Sequence, residues 1–228
     1  MRWKDPYADK YQKASGFESE VYTVEGPKKA WISLKPTTRA AYDLSMRENS
    51  IDGLITMDEL DKLKSGYLYT TQEYPKDLFF IQTLSKWETQ SKSLNFNALL
   101  TNCTVTIQRK GFKEDDEEDI SVEQWIDVYK DVPACIGITL SDSKNFNAGF
   151  EVTTIKVVQM PIWEFVEEED EEGNVKVVEK ARVVKENDKV ILTSKVSSDL
   201  NCEIHVESVD NFGISGVVKF QGTQDMRI

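Results

Sequence analysis

Histidine is nearly absent from this chain: one residue, His205, in 228. That excludes a metal centre built on several imidazoles, and a Ser-His-Asp triad would have to pass through this single side chain. His205 lies in CEIHVESV, where Ile204 and Val206 alternate with His205 and Glu207. The imidazole is therefore expected on the less apolar face of a strand. Cysteine is scarce as well. Cys103, Cys135 and Cys202 are odd in number, far apart and without a CxxC spacing, which argues against a disulfide framework and a thiolate zinc site. Three buried thiols are the expectation. Gly-rich phosphate loops, GxGxxG and GxSxG are all missing. No apolar run is long enough to cross a bilayer, and the opening MRWKDPYADKYQK has no apolar core, so no signal peptide is expected there. These absences predict a protein that is not an enzyme and carries no cofactor or metal.

Basic residues are the minority, with 28 Lys and Arg against 40 Asp and Glu, a net charge of −12 and a pI near 4.7. Tight binding to a phosphate backbone needs clustered cations, so DNA binding is not expected as the primary task. DNA passing close by is compatible with this balance. What the chain does have is 39% apolar residues, with aromatics making up 10% of the chain, enough for a real core.

Residues 1–25 are polar with scattered aromatics (Trp3, Tyr7, Tyr11, Phe17, Tyr22) and read as an extended arm. Residues 26–98 read as a small α+β module. KAWISLKP alternates like a short strand and stops at Pro36; TTRAAYDLSMREN has helical spacing at Ala41, Leu44 and Ser45. TMDELDKLKSG reads as a second helix, capped by Thr56 with Glu59 as capping-box partner and closed by Gly66. A turn at Pro75–Asp77 then leads to a strand with Phe79, Ile81 and Thr83 on one face.

Residues 99–228 read as β almost throughout. Seven runs rich in Val, Ile and Thr, from CTVTIQRKGF to SGVVKFQG, are divided by turn residues, which predicts a β-barrel or sandwich of about seven strands with long hairpins. The fold class expected is thus mainly β with a small α+β N-terminal module. Two acidic runs interrupt the strands, Glu114, Asp115, Asp116, Glu117, Glu118 and Asp119, and Glu167, Glu168, Glu169, Asp170, Glu171 and Glu172. Both are expected at hairpin tips, the second beside a Gly-Asn turn signal. Like charges packed this closely usually form a solvated surface; tips lining a passage for DNA are the sharper alternative.

ENSIDGLITMDEL (48–60) poses a separate question. Glu59 stands at the twelfth position of an EF-hand-like loop, Gly53 at the sixth, Ile55 at the eighth, with Asp52 and Ser50 as oxygen donors. The first position is Glu48 rather than the shorter Asp, and no partner loop follows. An Asp-Gly turn between two capped helices accounts for the same letters without metal. A soluble calcium-binding module using residues 48–59 is kept as the alternative function.

GYLYTTQEYPKDLFFIQTLSKWETQS is followed in order by LNFNALLTNCTVTIQRKG, WIDVYKDVPACIG, SDSKNFNAGFEVTTIKVVQMP and KVILTSKV with CEIHVESVDNFGISGVVKFQG. The order of these pieces resembles the head-closure (stopper) and head-tail connector proteins of the tailed-bacteriophage neck. The resemblance implies a structural virion protein made in the bacterial host cytoplasm and located at the head-tail junction. It implies a homo-oligomeric ring of six or twelve copies, docked on a portal or adaptor protein above and a tail-terminator or tail-tube protein below. Packaged double-stranded DNA would pass through without sequence-specific binding, and no membrane would be involved. An adaptor or tail-terminator role is the nearest variant. The acidic tips are then expected to approach the channel, and the arm at residues 1–22 to contact a neighbouring subunit.

Overall fold

The computed structural model describes residues 16–34, 50–72, 75–85, 93–115, 120–140, 154–170, 173–195, 198, 201–210 and 216–223. Among them the chain is almost entirely β. The first six strands are β1 (Gly16–Thr23), β2 (Gly26–Leu34), β3 (Ser50–Thr56), β4 (Leu68–Thr71), β5 (Leu78–Ser85) and β6 (Leu94–Leu100). They close into an antiparallel barrel in the order β1-β2-β3-β6-β5-β4. Closure runs through β1 and β4, with Val21 opposite Tyr69.

Strict alternation builds this barrel. In β1 the inward residues are Phe17, Ser19, Val21 and Thr23, and in β3 they are Ile51, Gly53 and Ile55. The interior is filled by Val21, Ile32, Ile51, Ile55, Tyr69, Phe79, Ile81 and Phe96. Tyr69 stacks on Phe79 with centroids 5.0 Å apart and meets Phe96 edge-on at 5.8 Å. Aromatic contacts of this geometry add about 0.5–1.5 kcal/mol to simple burial.

The N-terminal helical module is therefore corrected to a barrel. Residues 50–56 form β3, and the helix expected over 56–66 shrinks to one 3-10 turn, Leu60–Lys62. The β-branched Ile51, Ile55 and Thr56 suit a pleated, half-buried surface better than a helix. Gly53 is not a turn residue. It points inward, where a Cβ would lie 2.6 Å from Ser33 O and 2.9 Å from Phe96 Cε1, so the glycine makes room for neighbouring backbone and ring. The arm reading is corrected in part, since Gly16–Thr23 is a barrel strand; residues 1–15 and the helix expected over 37–49 lie outside the described residues.

The remaining strands are β7 (Cys103–Asp115), β8 (Ile120–Leu140), β9 (Thr154–Pro161), β10 (Trp163–Glu169), β11 (Val175–Ala181), β12 (Lys189–Ser194), β13 (Cys202–Asp210) and β14 (Val217–Thr223). Six of them close a second barrel, and β10 and β11 form a separate two-stranded sheet. In chain sense the second barrel runs β7-β8-β9-β14-β13-β12, the same order as the first. Each barrel thus has three consecutive neighbours and a fourth strand returning beside the first, a Greek-key arrangement. Its buried residues include Val105, Ile107, Val132, Val158, Met160, Val190, Leu192, Ile204, Val206 and Phe220.

By contacts the chain divides into two units, Met1–Thr101 with Pro161–Arg182 and Gly213–Val217, and Asn102–Met160 with Val183–Phe212 and Val218–Ile228. The hairpin β10–β11 thus belongs with the first barrel, although the chain reaches it from β9.

Candidate interaction surfaces

Two hairpins exceed what closing the barrels requires. The first is β7–β8. Strand β12 pairs with β7 only over Cys103–Gln108, and β9 pairs with β8 only over Cys135–Leu140. Beyond these, Arg109 to Asp115 pair only with Ile120 to Ile126 among the described residues. Seven residue pairs at about 3.3 Å each make an arm of about 23 Å. The corresponding hairpin of the first barrel, β1–β2, turns tightly at Thr23 and Gly26.

The arm presents apolar side chains to solvent: Phe112 is 72% exposed and Ile126 43%. Its base is tied down. Lys110 Nζ lies 5.6 Å above the Trp125 ring, and the Trp125 and His205 centroids are 6.1 Å apart. Arg109 grips the buried Asp188 with two hydrogen bonds of 2.8 Å, Nε to Oδ1 and Nη2 to Oδ2. His205 is exposed on β13 between the buried Ile204 and Val206, as its alternation predicted.

The first acidic run sits at the end of this arm. Glu114 and Asp115 close β7 opposite Ser121 and Ile120, while Asp116, Glu117, Glu118 and Asp119 lie outside the described residues. The second run sits on β10–β11. Glu167, Glu168 and Glu169 pair with Val177, Lys176 and Val175 and are exposed; Glu171 and Glu172 lie outside the described residues. Asp170 is committed to the turn, its Oδ1 accepting from Asn174 N–H at 2.8 Å. Glu168 is paired with Lys180 at 2.6 Å.

Sequence reading missed what fastens β10–β11 to its barrel. Tyr67, just ahead of β4, donates its hydroxyl to Glu179 Oε1, and Lys64 Nζ lies 2.5 Å from Glu179 Oε2. Trp163 Nε1 donates to Ser65 O at 2.9 Å, and Phe165 packs on Tyr67 at 5.7 Å. Burial, helped by the Glu179 carboxylate, pushes the Tyr67 phenol well above its ordinary value. The backbone at Gly66, with φ +91°, lies against Gly216, where a Cβ on either residue would collide. Partners 112 residues apart leave no local signal in the sequence.

The calcium reading does not survive this geometry. Ser50, Asp52 and Thr56 lie along an extended strand rather than around a loop. Asp52 Oδ1 accepts from Asn97 Nδ2 at 3.0 Å, and Glu59 bridges Lys28 at 3.1 Å and Lys62 at 3.2 Å. Glu25 joins the same two lysines, making a closed ring of four alternating charges. The lysines hold both carboxyls below their ordinary range through these hydrogen bonds. Among the described residues no group of three His, Cys, Asp or Glu side chains could hold a metal ion, and no helix is long and apolar enough to cross a membrane.

A groove of about 410 Å³ opens on the first barrel beside Glu18, Glu20, Lys29, Trp31, Asp58 and Gln72. The hydrogen bond from Gln72 Nε2 to Glu18 Oε2, 2.9 Å, spans β1 and the residue after β4.

Among the described residues the fold is almost all β: two like-ordered barrels and two hairpins that carry Glu114, Asp115 and Glu167 to Glu169 near their ends. No family model matches the chain, and no curated protein or solved structure is significantly similar to it.

Proposed function

We propose that this protein is a structural assembly component that joins copies of itself into a ring through the β7–β8 arm. The observation that carries the reading is an arm of about 23 Å exposing Phe112 and Ile126 beyond any strand the barrel needs. A lone hairpin gains little by holding such side chains in water. Strand addition or insertion into a neighbouring subunit would bury them and pair the free backbone edges. Repeated head-to-tail contacts of one kind close into rings when the rotation allows it.

The phage neck is the setting the sequence resemblance implies, with a portal or adaptor protein on one side and a tail-terminator or tail-tube protein on the other. Acidic tips fit that setting, because a DNA conduit must not grip its cargo. The head-closure role itself, retention of packaged DNA, is part of the same proposal.

The test replaces residues 111–124 with Asn-Gly, joining the paired Lys110 and Trp125 by a two-residue turn. Light scattering and negative-stain images of the full chain, alone and mixed with DNA-filled tailless heads, should show rings for the natural sequence. The shortened variant should remain folded by circular dichroism and stay monomeric. A natural chain that is monomeric under both conditions, or a shortened variant that still forms rings, would overturn the reading.

A further inference from the structure

Between β3 and β4 the chain runs from Thr56 to Leu68 with one 3-10 turn, Leu60–Lys62, as its regular structure. Met57, Leu63 and Tyr67 are buried in the core of the first barrel, and Leu60 packs against them. On either side of Leu63 the segment is fastened by different chemistry.

Before Leu63 the fastening is electrostatic. Lys62 Nζ lies 2.8 Å from Glu25 and 3.2 Å from Glu59, and Lys28 Nζ lies 3.0 Å and 3.1 Å from the same two carboxylates. Glu25 and Lys28 stand at the β1–β2 turn, so the four charges tie that turn to Glu59 and Lys62. All four side chains are between 32% and 45% exposed. Attraction between charges this exposed is screened by salt.

After Leu63 the segment holds the hairpin β10–β11. Lys64 pairs with Glu179 and lies 5.5 Å above the Trp163 ring; Ser65 O accepts from Trp163 Nε1 at 2.9 Å. Gly66 N–H donates to Ile81 O at 2.6 Å, which pins the chain to β5 just beyond these anchors. A single residue thus separates Lys62 in the charge cluster from Lys64 under the hairpin. Successive Cα atoms are about 3.8 Å apart, so a displacement of Lys62 is passed on to Lys64 and Ser65.

We propose that residues 57–65 form a salt-sensitive strap that couples the β1–β2 turn to the seating of β10–β11. With the four charges paired, Lys64 and Ser65 are held where Glu179 and Trp163 meet them. Loosening the cluster releases those two anchors first. The hairpin, which shows Val175 at 66% exposure, then opens more often from its barrel. The strap is independent of the β7–β8 arm and of ring assembly.

Amide exchange of the full chain, followed by mass spectrometry at about 0.02 M and about 1 M sodium chloride, tests the coupling. Lys62→Glu sets three carboxylates together; at low salt it should accelerate exchange over 59–65 and over 163–181 at least about threefold, with β12 to β14 unchanged. Reversing all four charges (Glu25→Lys, Lys28→Glu, Glu59→Lys, Lys62→Glu) restores the alternation and should return both segments to the natural rates. High salt should accelerate both segments in the natural protein and slow them in Lys62→Glu, where it screens repulsion instead. Acceleration over 59–65 without any over 163–181 would overturn the coupling. No acceleration in either segment, or no rescue by the fourfold reversal, would show that the charges do not fasten the strap. Should the variants fail to fold, the natural protein decides: a salt response over 163–181 no larger than that of β12 to β14 overturns the proposal.

Discussion

Asp188 shows how one buried charge can fix a connection. It is 2% exposed, accepts both Arg109 hydrogen bonds, and also accepts from Lys185 N–H at 2.8 Å, so one carboxylate holds the start of the arm and the turn before β12. Asp188→Asn preserves the shape and removes the charge, and should cost about 2–3 kcal/mol in urea unfolding. The buried thiols make a second prediction. With Cys103 raised to about 12 and Cys135 to about 11 from an ordinary 9.0, their stabilisation is fully present below pH 9. It is lost as pH rises from there towards the folded values, because the unfolded chain releases those protons first. Each thiol should steepen the decline by about 1.4 kcal/mol per pH unit over that window. Urea midpoints measured from pH 8 to 11 should fall, and fall less in the Cys103→Ala, Cys135→Ala double variant.

At the scale of elements, the hairpin β10–β11 depends on a small cluster of anchors, chiefly Glu179 beneath Tyr67 and Lys64 and Trp163 on Ser65. Glu179→Ala leaves the buried phenol without its acceptor and Lys64 without its carboxylate. Amide exchange over 163–181 should accelerate at least about tenfold, which corresponds to about 1.4 kcal/mol of local opening, while exchange in β12 to β14 stays unchanged. Equal acceleration in those strands would mean that Glu179 supports the whole chain rather than one hairpin. The strand β3 teaches the converse lesson. Its letters allow a turn and a helix cap, yet pairing with β2 and β6 on both sides satisfies its backbone and buries Ile51 and Ile55. Tertiary pairing outweighs local preference there.

For the molecule as a whole, the shared strand order of the two barrels separates framework from addition. The tight β1–β2 turn and the long β7–β8 arm occupy the same place in that order, and so do the 3-10 turn after β3 and the hairpin β10–β11 after β9. The described residues of both acidic runs, Glu114, Asp115 and Glu167 to Asp170, therefore stand on additions, where function commonly resides, rather than on what closes a barrel. If those tips face a DNA passage, replacing Glu114–Asp119 and Glu167–Glu172 with Ser and Gly should leave ring assembly intact and change DNA retention. Particles carrying the variant that hold and eject DNA normally would remove the tips from the channel.

By itself the sequence determined the β character of the described residues after 99, the placement of Glu114, Asp115 and Glu167 to Glu169 on hairpins, and the outward face of His205. Those properties rest on alternation and turn residues, which are local and survive being read one segment at a time. Only the tertiary structure decided that residues 16–100 are a second copy of the barrel order, that Gly53 yields space inside it, and that β10–β11 packs beside Tyr67. It alone brought Glu59 and Lys62 to Glu25 and Lys28. These depend on which strands close against which, and pairings between distant segments are set by the burial of whole faces rather than by any short run of residues.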